Sequence, residues 1–338
     1  MLHALWQRLL PWLKFILSVG LIGLLWYQGK LDFSVLKQLS SSPGTIMSVL
    51  LLTLISYSML SLRWVILLHS QQIPLPFSWG HRITYLGIFC NLVLPGGGMA
   101  GDAVRMAHSM RVAPRHKLEA LSTLVVDRVV GLYAMLVIAL GAIAIHPHLV
   151  MRTGTLSLLA LVVAASVCGA PLGAWLFYKL ADHIGDSPRF ARFLSSGRIG
   201  RMTARLIDIV RLYRNAWWQL LQAFFLSFVA QILMVSALIL IANTLEIGLL
   251  SPVDYSFATP WAWIANFLPL TPGGIGVGEA AFDQVCHWIE TTPSDAPYGT
   301  IYFMFRMLTM LGSFPGLILF FFSRQEVQAA IRHQAIEG

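Results

Sequence analysis

Six ionisable residues stand in or beside apolar runs that have no routine use for charge: Asp102, Arg105, Asp127, Arg128, Glu279 and Arg306. If those runs lie in a bilayer, each arginine costs ~3 kcal/mol on insertion scales, so it should face a bundle interior and mark function. The five-donor fork of Arg128 or Arg306 suits a phosphate or phosphodiester. The competing reading is a structural ion pair of either arginine with Asp102 or Glu279. Asp127 and Arg128 are sequence neighbours, point to different helix faces and so do not satisfy each other. Arg105 is close enough to a glycine-rich turn to reach a head group, although anchoring at a helix end is the simpler role for it and for Arg111.

The elements that must position these groups carry a duplicated motif. Pro95-Gly96-Gly97-Gly98-Met99-Ala100-Gly101-Asp102-Ala103 and Pro272-Gly273-Gly274-Ile275-Gly276-Val277-Gly278-Glu279-Ala280 share the pattern P-G-G-x-x-x-G-acid-Ala at a constant offset (272 − 95 = 177). Two copies in register indicate internal duplication of a functional element. Gly96, Gly97, Gly273 and Gly274 let the backbone turn tightly or enter left-handed conformations. A helix restarting after such a turn presents unpaired N–H groups and a positive dipole end, which attract phosphate or carboxylate. Asp102 and Glu279 occupy matched positions near those restarts. There they either complement the dipole as first-turn acids or bind a cation, a proton or a substrate amine.

Composition sets the class. Of 338 residues, 57% are hydrophobic and 11% charged, and the mean hydropathy is +0.71. A soluble domain carries roughly 25% charge, so the chain is expected to be an integral membrane protein. The net charge of +8 falls between apolar spans and not on a polar domain, which argues against nucleic-acid binding. Cys90, Cys168 and Cys286 lie singly in apolar surroundings without C-x-x-C spacing, so they are expected to be small buried hydrophobes. A basic start (Arg8, Lys14) precedes an apolar run with no small-x-small cleavage site, which predicts a retained first helix.

Apolar segments of spanning length fall at about 11–27, 45–68, 118–145, 155–178, 219–242 and 298–322, near or above the ~20 residues that cross the hydrocarbon. The runs Arg82 to Leu94 and Phe257 to Leu270 are shorter, about 21 Å as helices. Each breaks at a Pro-Gly-Gly run and resumes at about 100–112 or 276–290, which predicts re-entrant helical hairpins. Irregular backbone at that depth is tolerated only where it is buried in protein or lines a cavity. Basic residues crowd the connections at about 105–117 and 179–214, whereas 243–258 and 290–299 hold only Glu246, Asp254, Glu290 and Asp295. Placing the basic loops inside gives cytoplasmic termini, and the two hairpins enter from opposite faces. The expected fold is an all-α polytopic membrane protein. It has about six transmembrane helices plus two re-entrant hairpins in an inverted-topology repeat, with halves at about 11–145 and 155–323 of one domain spanning 1–338.

Within the basic segment 179–214, Ile199, Met202, Leu206, Ile209 and Tyr213 recur at helical spacing between arginines. They form either an amphipathic helix on the inner leaflet or a solvated face packed on the bundle. Enzyme motifs such as D-x-D, H-E-x-x-H and G-x-S-x-G are missing, and His146-Pro147-His148 lacks a third metal ligand. Catalytic residues, metals and cofactors are therefore not expected. Asn91 and Asn266, just before the turns, should satisfy broken helical backbone, and Gln231 an interhelical hydrogen bond.

Leu94-Pro95, Gly101-Asp102, Arg105, Asp127-Arg128, Pro269, the Pro272–Glu279 run and Arg306 together resemble the lysylphosphatidylglycerol synthase transmembrane, or flippase-like, family from about residue 10 to 323. The resemblance implies a bacterial or archaeal membrane protein that moves or handles lipids and lipid-linked intermediates. Fused members carry a soluble aminoacyl-transfer domain, whereas here only a short tail follows Phe322, so aminoacyl transfer is not carried over. The expectation is a non-enzymatic inner-membrane flippase for an anionic lipid, either a phospholipid or a polyprenyl- or sugar-linked one. Arg128, Arg306 and Arg105 would grip phosphate, while Asp102, Glu279 and Asp127 would balance charge or couple protons. With no nucleotide-binding motif, a gradient or no energy source drives it. Two alternatives are a membrane partner presenting lipid to a separate lipid-modifying enzyme, and a transferase using Asp102, Asp127 or Glu279 as base.

Overall fold

The computed structural model describes residues 19–32, 34–93, 100–114, 116–151, 153–184, 200, 207–247, 250–266, 271 and 274–322. Gly96, Gly97 and Gly273 lie outside the described residues, as does most of the basic segment 179–214. Among the described residues every regular element is a helix. In chain order these are α1 (19–27), α2 (Val35–Ser40), α3 (Pro43–Ser70), α4 (Phe77–Val93), α5 (Ala100–Val112), α6 (Lys117–Ile145), α7 (His148–Met151) and α8 (Gly154–Ile184). There follow α9 (207–212), α10 (Trp217–Leu245), α11 (Pro252–Asn266), α12 (Val277–Ile289), α13 (Tyr298–Gly312) and α14 (Phe314–Phe322).

Helices α3, α6, α8 and α10 are long and apolar enough to cross a membrane. Of the other two expected spans, the first is described only from residue 19, and the last is not one continuous helix. It breaks at Ser313, where Ser313 Oγ and N turn back to the Met310 carbonyl. Pro315 has no N–H to continue the ladder, and its ring would crowd the carbonyl four residues earlier. The arms α4 and α11 also start earlier than their apolar runs suggest, while α5 and α12 start within a residue of expectation. At α11, Ser251 N and Oγ both donate to Asp254 Oδ2 at 2.9 Å. This capping box, with Pro252 opening the helix, pulls the start back to residue 252.

Helix α10 lies along α3 at the centre, with α6 and α13 packed against both. The short arms pair α4 with α5 and α11 with α12. Helix α4 also packs on α14, and α11 on α6, so each hairpin's first arm leans on the last helix of the other half. The core runs through Ala237, Leu238 and Ile241 of α10, Phe257 and Ala262 of α11, and Phe282 of α12. A second cluster of Trp64, Leu68, Leu86, Cys90, Val104 and Leu124 ties α3, α4, α5 and α6. Cys90 and Cys286 are buried as expected, but Cys168 is exposed on α8, beside the outward-facing Leu158, Leu161 and Leu172.

The connections sort to two ends. Lys30 Nζ lies 3.0 Å from Asp283 Oδ2, Asp32 N donates to Thr300 Oγ1, Gln38 reaches the Thr244 carbonyl and His146 meets Asp254. At the other end of the 28-residue α3, Gln71 reaches the Leu212 carbonyl, and Leu67 packs with Tyr213 and Ala216.

Candidate functional site

Each restarted arm begins one residue before a glycine that its partner arm requires. In the first hairpin, a Cβ on Gly101 would collide with the Gly87 carbonyl and meet Asn91 Nδ2 at 2.9 Å. The arms α4 and α5 therefore touch backbone to backbone. In the second, a Cβ on Gly278 would strike the Asn266 side chain and come within 2.9 Å of Arg306 Nη2. Gly274 and Gly276 adopt φ of +72° and +86°, the left-handed region expected of the turn. Asn91 Oδ1 accepts from Gly101 N at 2.6 Å, so it satisfies restarted backbone as its position predicts. Asn266 does something else: its Oδ1 accepts from Arg306 Nη2 at 2.9 Å, and its Nδ2 donates to Tyr302 Oη at 2.8 Å.

The duplicated acids each pair with the arginine of the last helix in their own half. Arg128 Nη2 and Nε lie 2.7 and 2.9 Å from Asp102 Oδ2, and Arg306 Nε lies 2.7 Å from Glu279 Oε1. Both ion pairs anticipated as the alternative to phosphate binding are thus present. They differ in setting. The Arg128 and Asp102 side chains are 37% and 24% exposed, the Arg306 and Glu279 side chains 7% and 0%. Glu279 also caps its own turn, accepting from Gly276 N at 2.8 Å. Arg306 Nη2 donates to the Gly274 carbonyl at 3.3 Å, and its guanidinium stands 5.5 Å over the Tyr302 ring.

Asp127 and Arg105 form a separate cluster. Asp127 takes Arg63 Nε at 2.7 Å and Arg105 Nη1 at 3.2 Å, with all three side chains buried. Arg63 Nη1 donates to Ser227 Oγ at 2.8 Å, and the Arg105 guanidinium stacks 5.2 Å from the Trp64 ring. Gly131, one turn beyond Asp127, leaves the room Arg63 occupies. Asp127 and Arg128 do point apart, as adjacent helical positions must. Arg63 is the residue that sequence reading missed. It sits inside a run read as uniformly apolar, and the insertion-cost argument that singled out Arg128 applies to it equally.

Between the two halves lies a cavity of about 320 Å³. Its polar lining comes from Asn91 and Arg128 on one side and Asn266 and Arg306 on the other, joined by Gln231 of α10 and Tyr57 of α3. Met135, Met234, Trp263 and Phe305 supply apolar wall. Asp102, Arg105, Asp127 and Glu279 do not line it. The cavity thus brings together two of the three arginines expected to grip phosphate and leaves Arg105 behind, neutralised against Asp127. Among the described residues no cluster of His, Cys, Asp and Glu has the makings of a metal site.

Long apolar helices around a cavity of mixed polar and apolar lining, with ion pairs between them, define a multi-pass helical membrane protein. The chain belongs to the family described as the lysylphosphatidylglycerol synthase TM region, which matches residues 12–316. Membership associates it with lipid handling in a membrane. No curated protein matches the chain, and no solved structure does.

Proposed function

We propose that this protein is a non-enzymatic, flippase-like transporter of an anionic lipid or lipid-linked intermediate across the inner membrane, with both termini cytoplasmic. One observation carries this reading. Arginine and asparagine from each half line a single cavity that also carries an apolar flank of Leu60, Met135, Met234, Trp263 and Phe305, so one site offers guanidinium donors to a phosphate and an oily flank to what is attached to it. In this reading α4–α5 and α11–α12 are re-entrant hairpins entering from opposite faces. The reciprocal packing of each first arm on the other half's last helix supports an inverted repeat. Among the described residues, Arg211 and Arg214 flank the Leu212 and Tyr213 contacts at the Gln71 end of α3, and Glu246 follows the Thr244 contact at the Thr45 end, which supports the orientation.

Mass spectrometry of lipids that co-purify with the detergent-extracted protein tests the reading. An anionic lipid enriched over the bulk membrane, and depleted from Arg128→Ala protein, is the expected result. Lipid at bulk composition in both proteins removes its basis. Co-purification of a lipid-modifying enzyme instead would favour the presenting-partner alternative.

A further inference from the structure

Resting on the transport reading and its orientation, we propose that Asp283, His287 and Glu290 of α12 form a proton relay at the outer end, through which a proton gradient drives transport. Three observations carry this.

First, the three side chains lead inward from water. His287 Nδ1 lies 3.0 Å from Glu290 Oε2, and its Nε2 lies 3.7 Å from Asp283 Oδ2. An imidazole takes a proton on one nitrogen and yields one from the other, and it changes charge near neutral pH. The His287 side chain is 24% exposed and the Asp283 side chain 0%. One turn deeper on the same helix stands Glu279, whose partner Arg306 borders the cavity.

Second, the surroundings leave room for one more cation. Lys30 Nζ answers Asp283 at 3.0 Å, whereas Glu290 accepts from the hydroxyls of Ser294 and Tyr298. From α13 the Tyr298 ring stands edge-on to His287 at 5.3 Å, and Tyr302 and Arg306 sit further along, at Glu279. From α11, Tyr255 interacts electrostatically with Glu290 and Asp254 with Cys286, while Asp254 is held by Ser251 and His146. Residues 154–167 of α8, which also packs on α12, hold no ionisable side chain. A proton on His287 supplies the cation that Glu290 lacks.

Third, the hairpin does not need these groups in order to form. One repeat earlier, at the offset of 177, the matching residues are Met106, Met110 and Ala113, and α5 pairs with α4 all the same. Charge that the duplicated fold does without is a functional candidate where burial makes it costly.

A proton from the outer water binds His287 and passes to the Asp283 carboxylate, which becomes neutral. It is released to the inner water through the cavity. Asp283 also accepts from Gly299 N at 3.0 Å, and a Cβ on Gly299 would lie 3.0 Å from the Lys30 carbonyl. Neutralising Asp283 therefore frees Lys30 and loosens the start of α13, the helix that carries Arg306 to the cavity.

The test uses the full chain in phosphatidylcholine vesicles with a trace of fluorescent phosphatidylglycerol. Potassium and valinomycin hold the membrane potential at zero, the pH differs by about one unit across the membrane, and quenching of the outer leaflet reads the probe's distribution. One proton per lipid shifts the leaflet ratio by up to about tenfold per pH unit. Wild type is expected to shift it at least about threefold, in the opposite sense when the gradient is reversed. At equal amounts of folded protein, His287→Gln and Glu290→Gln should each stay within about 1.5-fold of an even distribution. His116→Gln, which alters a remote and exposed pair with Glu119, should respond as wild type does. A purely structural contact would change melting temperature without abolishing the response to the gradient. Wild type that equilibrates the probe evenly under any gradient overturns the coupling and leaves transport standing. A full response from both His287→Gln and Glu290→Gln overturns the assignment to this cluster. Wild type that does not move the probe at all removes the transport reading, and the coupling with it.

Discussion

The two glycine motifs are nearly superimposable as sequence, yet they have become unlike as structures. Both end in an acid at the third position of a restarted helix, and both acids pair with an arginine at 2.7 Å. The second pair is sealed, shared with a capped turn and braced by Asn266 and Tyr302. The first is partly exposed, and its Arg128 borders the cavity. One sequence pattern thus stands with two degrees of burial, closed around Arg306 and Glu279 and partly exposed at Arg128 and Asp102.

The sharpest way to break this contrast is to remove the sealed acid. Glu279→Ala strands Arg306 in the interior and uncaps Gly276, which is expected to cost about 3–5 kcal/mol, the scale of breaking a buried ion pair. Asp102→Ala, the matched change, should cost no more than about 1 kcal/mol because its pair is partly exposed. Thermal or denaturant unfolding in detergent compares them, and equal losses would mean that the two pairs are equivalent. A glycine comparison comes next. Gly278→Ala drives a methyl group into Asn266 and Arg306 and should destabilise by about 1–3 kcal/mol, as overpacking does. Gly141→Ala meets open space in a helix and should stabilise by up to about 1 kcal/mol.

The smallest effect lies at the far end of the second hairpin. There Glu290 accepts from Ser294 and Tyr298 and meets His287 at 3.0 Å. Burial opposes its ionisation, but these three partners outweigh it and hold the carboxyl below its ordinary value of 4.5. A carboxyl depressed in the folded state contributes stability that is fully present above 4.5 and lost as pH falls through its folded value. Melting temperature followed from pH 7 downward should therefore hold until below 4.5 and then drop. Glu290→Gln should flatten that drop, and an unchanged profile in the variant would exclude Glu290 as its source.

Much of this was legible in the chain. The repeated glycines and the matched acids mark the restarts, and the cost of charge in apolar runs marks Arg128 and Arg306, which do border one cavity. What escaped was partnership between elements distant in sequence. Arg63 hid inside an apolar run, and the demand of Asp127 for two cations is visible only once α3, α5 and α6 are packed. Arg105 was assigned to the ligand because it lies near the turn in sequence, but its side chain projects to Asp127 instead. The break at Ser313 was carried by Pro315, a signal that hydropathy alone averages away.

The central claim is that the cavity between the halves carries an anionic head group on Arg128. Translocation of a fluorescent anionic phospholipid in proteoliposomes, with equal amounts of folded wild-type and Arg128→Ala protein, tests it most directly. The account predicts that the variant loses at least about tenfold in rate while remaining folded. Wild-type rates from a folded Arg128→Ala protein would contradict it.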